Sequence, residues 1–285
     1  MERRELVRLL GRGRVFDLGQ PLHAAMPQRH THPNYVLTPV RRHGDVIRES
    51  GLSTANELVV LSGHTGTHLD AFRHASVRGK LHGGRRAAEV ESHDGLRALD
   101  ISSVTPFIAR FVLFDVARET GGPPLPPGHA ITAQYLSTIA EKLSITPRPG
   151  DGALVRTGWG ALWGDPRRHG ERGGSPDEGR RDAASRKYEG AEGGIAGIDL
   201  SAAEWLAERG VAFIGADNLT VEVEPKDARD LPVHSFCLVE RGILLLENLN
   251  LEAAAAGNAY EGLIVVAPLP LVGATAAPVR PIAFA

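Results

Sequence analysis

Residues 64–74 read His-Thr-Gly-Thr-His-Leu-Asp-Ala-Phe-Arg-His, which places three histidines and one aspartate within eleven residues. Neutral imidazole nitrogens and a carboxylate oxygen are natural donors to Zn²⁺, and they also suit Mn²⁺ or Fe²⁺. Packing alone explains so dense a cluster poorly, because each buried polar atom needs a partner. His64 and His68 are spaced i, i+4, with Asp70 two residues further on. Gly63, Gly66 and two threonines argue against a regular helix. An extended segment is therefore predicted, in which alternate residues share a face. His64, His68 and Asp70 then point one way, and His74 joins them if the extension continues. Three protein ligands with an open position form the arrangement of a catalytic metal site. In such a site water is acidified toward neutrality, and His74 can accept its proton.

A second group lies late in the chain. Asp217 closes Phe-Ile-Gly-Ala-Asp at a predicted strand end, His234 lies in Leu-Pro-Val-His-Ser, and Glu247 interrupts the apolar run Ile-Leu-Leu-Leu-Glu-Asn-Leu. A carboxylate in a buried strand is costly unless paired or metal-bound, so Glu247 is a ligand, the partner of an arginine, or simply the end of the strand. No Gly-x-Ser-x-Gly elbow supports a serine hydrolase. Cys237, the one cysteine, reads as packing rather than as a nucleophile. His23, His30, His32 and His43 read as solvent-exposed loop residues, with the lining of the pocket by one of them as the alternative, and Trp159 and Trp163 suit either the wall of an aromatic-substrate pocket or packing in the core or an interface.

The elements that must position these groups alternate between strand and helix. A short amphipathic helix is predicted over 1–10 and strands over 14–18, 57–62, 107–116, 152–156, 211–215, the start of 242–251, and 262–268. The strand at 57–62 delivers the histidine cluster into a turn. Thr132 is expected to cap a helix over about 133–143, and Ser201 with Glu204 to form a capping box for a helix ended by Gly210. Residues 164–194, rich in Gly, Arg, Asp, Glu and Ser, read as a polar surface insertion with Tyr188 as its anchor, and the Arg and Glu run at 165–187 as solvated surface. The pattern is mixed α/β over one domain spanning 1–285.

Composition sets the outer limits. The chain has 285 residues, 42% of them hydrophobic and 23% charged, enough for a substantial core. A net charge of −2 with interleaved signs points away from nucleic acid. No stretch approaches the roughly 20 apolar residues that span a bilayer, no signal peptide is apparent, and one cysteine fits a reducing compartment. A cytoplasmic protein is expected.

The motif His64-Thr-Gly-Thr-His-Leu-Asp-Ala-x-x-His74 resembles the signature of the metal-dependent cyclase-like hydrolases, the family that includes bacterial kynurenine formamidase and isatin hydrolase. Phe16-Asp-Leu-Gly-Gln-Pro-Leu, Met26-Pro27, His32-Pro33, Arg156-Thr-Gly-Trp, Gly215-Ala-Asp-Asn and the His234…Glu247-Asn-Leu pair resemble its other blocks, in the family's order. The resemblance implies a swivelling β/β/α fold with flanking helices, assembled as a homodimer or homotetramer. It implies a first metal on His64, His68 and Asp70, with Asp70 bridging to a second on His234 and Glu247, so one or two Zn or Mn ions per chain. It also implies His74 as the catalytic histidine, acting on a small amide, lactam or related acyl compound in the manner of an arylformamidase. The alternatives are a lactone hydrolase or cyclase of the same family and a non-catalytic, metal-dependent binder of small carboxylates. Phe72 stands where many members have proline, which predicts an altered pocket wall beside His74.

Overall fold

The computed structural model describes residue 11 and residues 13–93, 95–96, 98–122, 124–164 and 183–285. The helix expected over 1–10 and the stretch 165–182 of the polar insertion lie outside the described residues. The strands that carry the site are β1 (Val15–Asp17), β2 (Val36–Arg41), β3 (Asn56–Val60), β4 (His68–Asp70), β5 (Phe107–Asp115), β6 (Gly152–Arg156), β7 (Phe213–Ala216), β8 (Leu244–Glu247), β9 (Glu261–Val266), β10 (Ala276–Pro278) and β11 (Ile282–Phe284). All but β2 and β3 join one nine-stranded sheet in the order β1-β11-β9-β5-β6-β7-β8-β4-β10. The centre of the sheet, β5 to β8, is parallel. Both flanks are antiparallel.

Side chains on these strands alternate between two cores, as the period of two requires. Val112, Phe114, Ala153, Val155, Ile214 and Leu245 pack on one face with the helices α1 (Ala133–Leu143) and α3 (Leu200–Glu208), through Leu136, Ile139, Ala203 and Leu206. Phe111, Leu113, Leu154, Phe213, Leu246 and Leu69 pack on the other. Burial on both faces explains why β5 to β8 read as continuous apolar runs rather than alternating ones. Each fully buried Leu or Phe contributes about 1.5–3 kcal/mol relative to exposure.

The helix starts differ in detail from the expected caps. The N-cap of α3 is Asp199, whose Oδ1 accepts from Ala202 N at 3.0 Å, not Ser201. Ser201 is already inside the first turn; its hydroxyl donates to Asp199 Oδ1 and accepts from Ala133 N, the first residue of α1. Thr132 occupies the cap position of α1 but makes no side-chain capping bond; the first N–H of that helix, on Ala133, is taken up by Ser201 Oγ. The described part of the polar insertion is not all loop: α2 (Ala183–Tyr188) forms there, with Ser185 and Tyr188 buried. Tyr188 is fully enclosed and packs edge-on against Trp163.

β2 and β3 form a separate antiparallel hairpin in which every residue is exposed, including Leu37 and Leu58, each 53% exposed. No helix among the described residues is long and apolar enough to cross a membrane.

Candidate metal centre

β4 lies between β8 and β10 near one end of the sheet. Its register sets Glu247 opposite His68 and Leu245 opposite Asp70. Leu69 belongs to the core on the far face, so His68 and Asp70 turn toward the helix-covered face, together with Glu247. Strand pairing thus brings candidate ligands from residues 68–70 and 247 together although they are remote in sequence.

The extended conformation covers only His68–Asp70 and does not run from His64 to His74 as expected. Gly66 adopts φ +65°, and a Cβ there would lie 2.2 Å from Leu22 Cδ2. Gly63 approaches Ala276 O so closely that a Cβ would lie 2.6 Å from it. The two glycines fold the chain back before the strand, which carries His64 over Asp70 with Nδ1 3.0 Å from Oδ1. After the strand, His74 N donates to Ala71 O in a turn that returns the His74 ring to within 4.2 Å of the His64 ring. His234 comes from the opposite side, at the end of the helical turn Pro232–His234, which continues into a π-helical turn over Ser235–Arg241. Single π turns are frequent at functional sites. The His234 ring lies 5.7 Å from that of His74.

Each of three histidines has its outer ring nitrogen engaged and its inner one facing the carboxylates. His64 Nε2 lies 2.9 Å from Thr275 Oγ1. His68 Nδ1 donates to Gly66 O at 2.8 Å. His234 Nδ1 donates in a short contact to Glu222 Oε1, and Glu222 also accepts from the backbone N–H groups of Val233 and His234. The inner nitrogens then converge. His68 Nε2 is 3.2 Å from Glu247 Oε2 and 3.5 Å from Asp70 Oδ1. His234 Nε2 is 3.3 Å from Glu247 Oε1 and 3.8 Å from Asp70 Oδ2. A carboxylate or carbonyl fixing the outer nitrogen of an imidazole is the usual support of a histidine ligand. Glu222 and Thr275 carried no sequence signal. Glu222 precedes His234 by twelve residues, and only the fold brings them together.

The buried atoms His68 Nε2, Asp70 Oδ1, Asp70 Oδ2 and Glu247 Oε1 have no hydrogen-bond partner among the described residues. Such orphans are costly unless a cation satisfies them. His64, Asp70 and His74, and likewise His68, Asp70 and Glu247, bring one donor atom each within 4.8 Å of one another, so two ligand groups share Asp70. The donor set fits a divalent ion such as Zn²⁺ or Mn²⁺.

The electrostatics point the same way. Burial and the Asp70 charge penalise the Glu247 carboxylate, but His234 and His68 outweigh them and hold it at about 2. Burial also opposes protonation of His68 and His234. Glu247 and Asp70 nonetheless raise His68 to about 9, and Glu222 and Glu247 raise His234 to about 10. The surrounding histidines overcome burial at Asp70 and hold its carboxyl far below the usual range. The carboxylates thus demand positive charge at the centre. His74 differs: burial dominates there and lowers it to about 4, so its ring is neutral at pH 7.

The centre opens into a cleft of about 400 Å³ lined also by Arg29, His32, Leu219, Arg229 and Leu231. A second hollow of about 300 Å³ adjoins it across the bidentate Arg29–Glu224 ion pair. Two alternatives left open by the sequence are decided here, and one expectation is corrected. His32 is half-buried in the cleft wall, its ring 5.2 Å from that of His64, and His30 also lines the cleft. Trp159 and Trp163 are core residues whose indoles donate to Leu125 O and Pro21 O. Phe72 packs against His82 and the core instead of forming the cleft wall. Asp217 stays apart from His234 and Glu247. Its carboxylate accepts from Thr157 N, Thr157 Oγ1, Gly158 N and Gly160 N, fixing the turn after β6. Cys237 is buried, and burial pushes its thiol up to about 12, so it offers no thiolate.

The model of the Cyclase family matches residues 16–223. The kynurenine formamidase of Bordetella petrii is 44% identical over 79 residues, 28% of this chain and 35% of that protein. That of Bordetella pertussis is 40% identical over 77 residues. The match thus spans about a third of the length of these relatives. Among solved structures, a novel cyclase superposes with a TM-score of 0.81 at 27% identity, covering 99% of this chain and 93% of that one. Isatin hydrolase A of Ralstonia solanacearum shares the fold, with a TM-score of 0.67 at 22% identity over 99% of this chain and 94% of its own.

Proposed function

The chain belongs to the Cyclase family, and from that membership and its buried centre we propose that it is a metal-dependent hydrolase of a small amide, lactam or related acyl compound. The observation that carries this reading is the set of orphaned donor atoms on His68, Asp70 and Glu247, facing one another below a cleft. Similarity to kynurenine formamidase and isatin hydrolase supports a carbon–nitrogen bond as the target. His64, His68 and Asp70 would hold one ion, and Asp70, His234 and Glu247 a second, each Zn or Mn.

A bound divalent ion supplies polarisation of the acyl carbonyl and acidification of water. His74 supplies the proton path. Its neutral ring beside His64 accepts a proton from the attacking water and delivers it to the leaving nitrogen. Glu222, Thr275 and the Gly66 carbonyl keep the outer nitrogens of His234, His64 and His68 occupied, so that their inner nitrogens stay directed at the ions. The polar ring of Arg29, Glu224 and Arg229 at the cleft suits a small polar substrate. We also read the exposed β2–β3 hairpin as the surface of a homodimer or homotetramer, since a contiguous apolar ribbon is rarely left in water.

The test uses N-formyl anilines, isatins and lactones as substrates and elemental analysis for metal. Turnover is expected to disappear on chelation and return with Zn²⁺ or Mn²⁺. His74→Ala is expected to keep its metal and lose about 10²–10⁴ in turnover. Loss of metal in His74→Ala would make His74 a ligand, and metal binding without turnover on any substrate would favour the carboxylate binder.

A further inference from the structure

A buried hydrogen-bond chain connects the polar insertion to the metal centre. Tyr188 Oη, at the end of α2, donates to Asn248 Oδ1 at 2.8 Å and lies 3.2 Å from Asp217 O. Asn248 Nδ2 donates to Gly66 O at 3.1 Å. The same carbonyl takes the Nδ1 hydrogen of His68 at 2.8 Å. Tyr188 is wholly buried, and Asn248 and His68 are each 1% exposed. Burial withdraws these atoms from bulk solvent, so each bond fixes the direction of the next. Asn248 is itself held rigidly. It follows Glu247 directly and adopts φ +56°, which asparagine tolerates better than most residues. Its N–H donates to Asn218 O, and its carbonyl accepts from Thr67 Oγ1 at 2.6 Å. The direction of the chain is set by its ends, because a phenol can donate where Asn248 offers its oxygen, which leaves the amide NH₂ for Gly66 O.

We propose that Tyr188 and Asn248 are positioning residues for the metal centre: through the Gly66 carbonyl they fix the ring orientation and tautomer of His68, coupling the polar insertion to metal binding. The inference rests on the metal-dependent reading above. It goes beyond it by giving two residues outside the ligand set, one of them on the insertion, a role in metal affinity. Gly66 sits in a left-handed turn, and its carbonyl direction depends on what donates to it. With Asn248 in place it receives two donors, and His68 Nε2 is turned toward Asp70 and Glu247. Without that second donor the peptide and the imidazole can rotate together.

Co²⁺ titration of the apoprotein, followed by its visible absorption, tests this with Tyr188→Phe and Asn248→Asp. Asp tolerates the same backbone conformation and keeps an acceptor for Tyr188, but loses the donor to Gly66 O. Wild-type protein is expected to bind Co²⁺ with a defined spectrum. Asn248→Asp is expected to weaken binding about 10–100-fold with an altered spectrum, as loss of an outer partner of a ligand does. Tyr188→Phe acts one bond further out and is expected to cost about 3–10-fold, the weight of one ordinary hydrogen bond. If Asn248→Asp does not fold, Tyr188→Phe decides alone. A fall in melting temperature with wild-type Co²⁺ affinity and spectrum in the folded variants overturns the proposal and leaves the metal centre standing. Failure of the wild-type protein to bind Co²⁺ overturns both.

Discussion

At Asp70 two buried carboxylate oxygens face three imidazoles and, among the described residues, no hydrogen-bond donor of adequate geometry. Such a residue is tolerated only where something positive answers it, either protons on His68 and His234 or a bound cation. These two answers compete. His68 and His234 hold their protons to about 9 and about 10 without metal. Each must therefore lose a proton before ligating anywhere below those values. The apparent metal affinity is expected to fall as pH drops from 9 toward 6, by up to about tenfold per pH unit for each proton displaced. Calorimetry in buffers of differing ionisation enthalpy reads the protons released, and a pH-independent affinity would contradict the ligand assignment. Glu222 is the residue to test at one remove. Glu222→Gln weakens the hold on His234 Nδ1 while keeping its volume, and metal affinity is expected to fall about 10–100-fold, measured by competition with a chromophoric chelator.

At the scale of elements, the site depends on how strand ends and turns are tied. Asp217, at the end of β7, binds the turn after β6 through four donors. Asparagine there offers one oxygen instead of two and opposes an NH₂ to backbone N–H groups. Asp217→Asn is expected to lose about 1–3 kcal/mol of stability at neutral pH. The pH dependence follows from its ionisation. Burial raises Asp217 from 3.8 to about 6 despite the donors from Thr157 and Gly160. The stability conferred by its proton is thus complete below 3.8 and lost as pH rises through about 6. Wild-type protein should therefore gain stability over Asp217→Asn on acidification from pH 7 to pH 4, as read by urea melts. A difference that fails to grow over that range would show the carboxylate to be ionised throughout.

For the molecule as a whole, the β2–β3 hairpin projects an apolar ribbon away from both cores. Leu37 and Val59 are cross-strand partners, 53% and 43% exposed. Leu37→Lys with Val59→Glu keeps an attractive cross-strand pair while removing the apolar contact. Light scattering is expected to show the wild-type mass as two or four chains and the double variant as one. A wild-type monomer, or an unchanged mass in the variant, would refute self-association through this hairpin.

How much of this was legible in advance divides along physical lines. Strands such as 152–156 and 107–116 were readable because burial on both faces leaves uninterrupted apolar runs bounded by Gly and Pro. The cluster at 64–74 was readable because glycines beside histidines and an aspartate suit little besides a metal. The short strands β10 and β11 were missed, since three paired residues leave no periodic pattern, and β2 carries too little burial to mark it. Local chemistry therefore determined which residues hold donor atoms and which segments want to be buried. Their convergence was decided in three dimensions. The register of β4 against β8 sets Glu247 opposite His68, the turn at Gly66 swings His64 back over Asp70, and Glu222, Thr275 and Asn248 become supports of the centre. Those facts depend on hydrogen bonds and packing between segments far apart in the chain, which no local pattern of residues encodes.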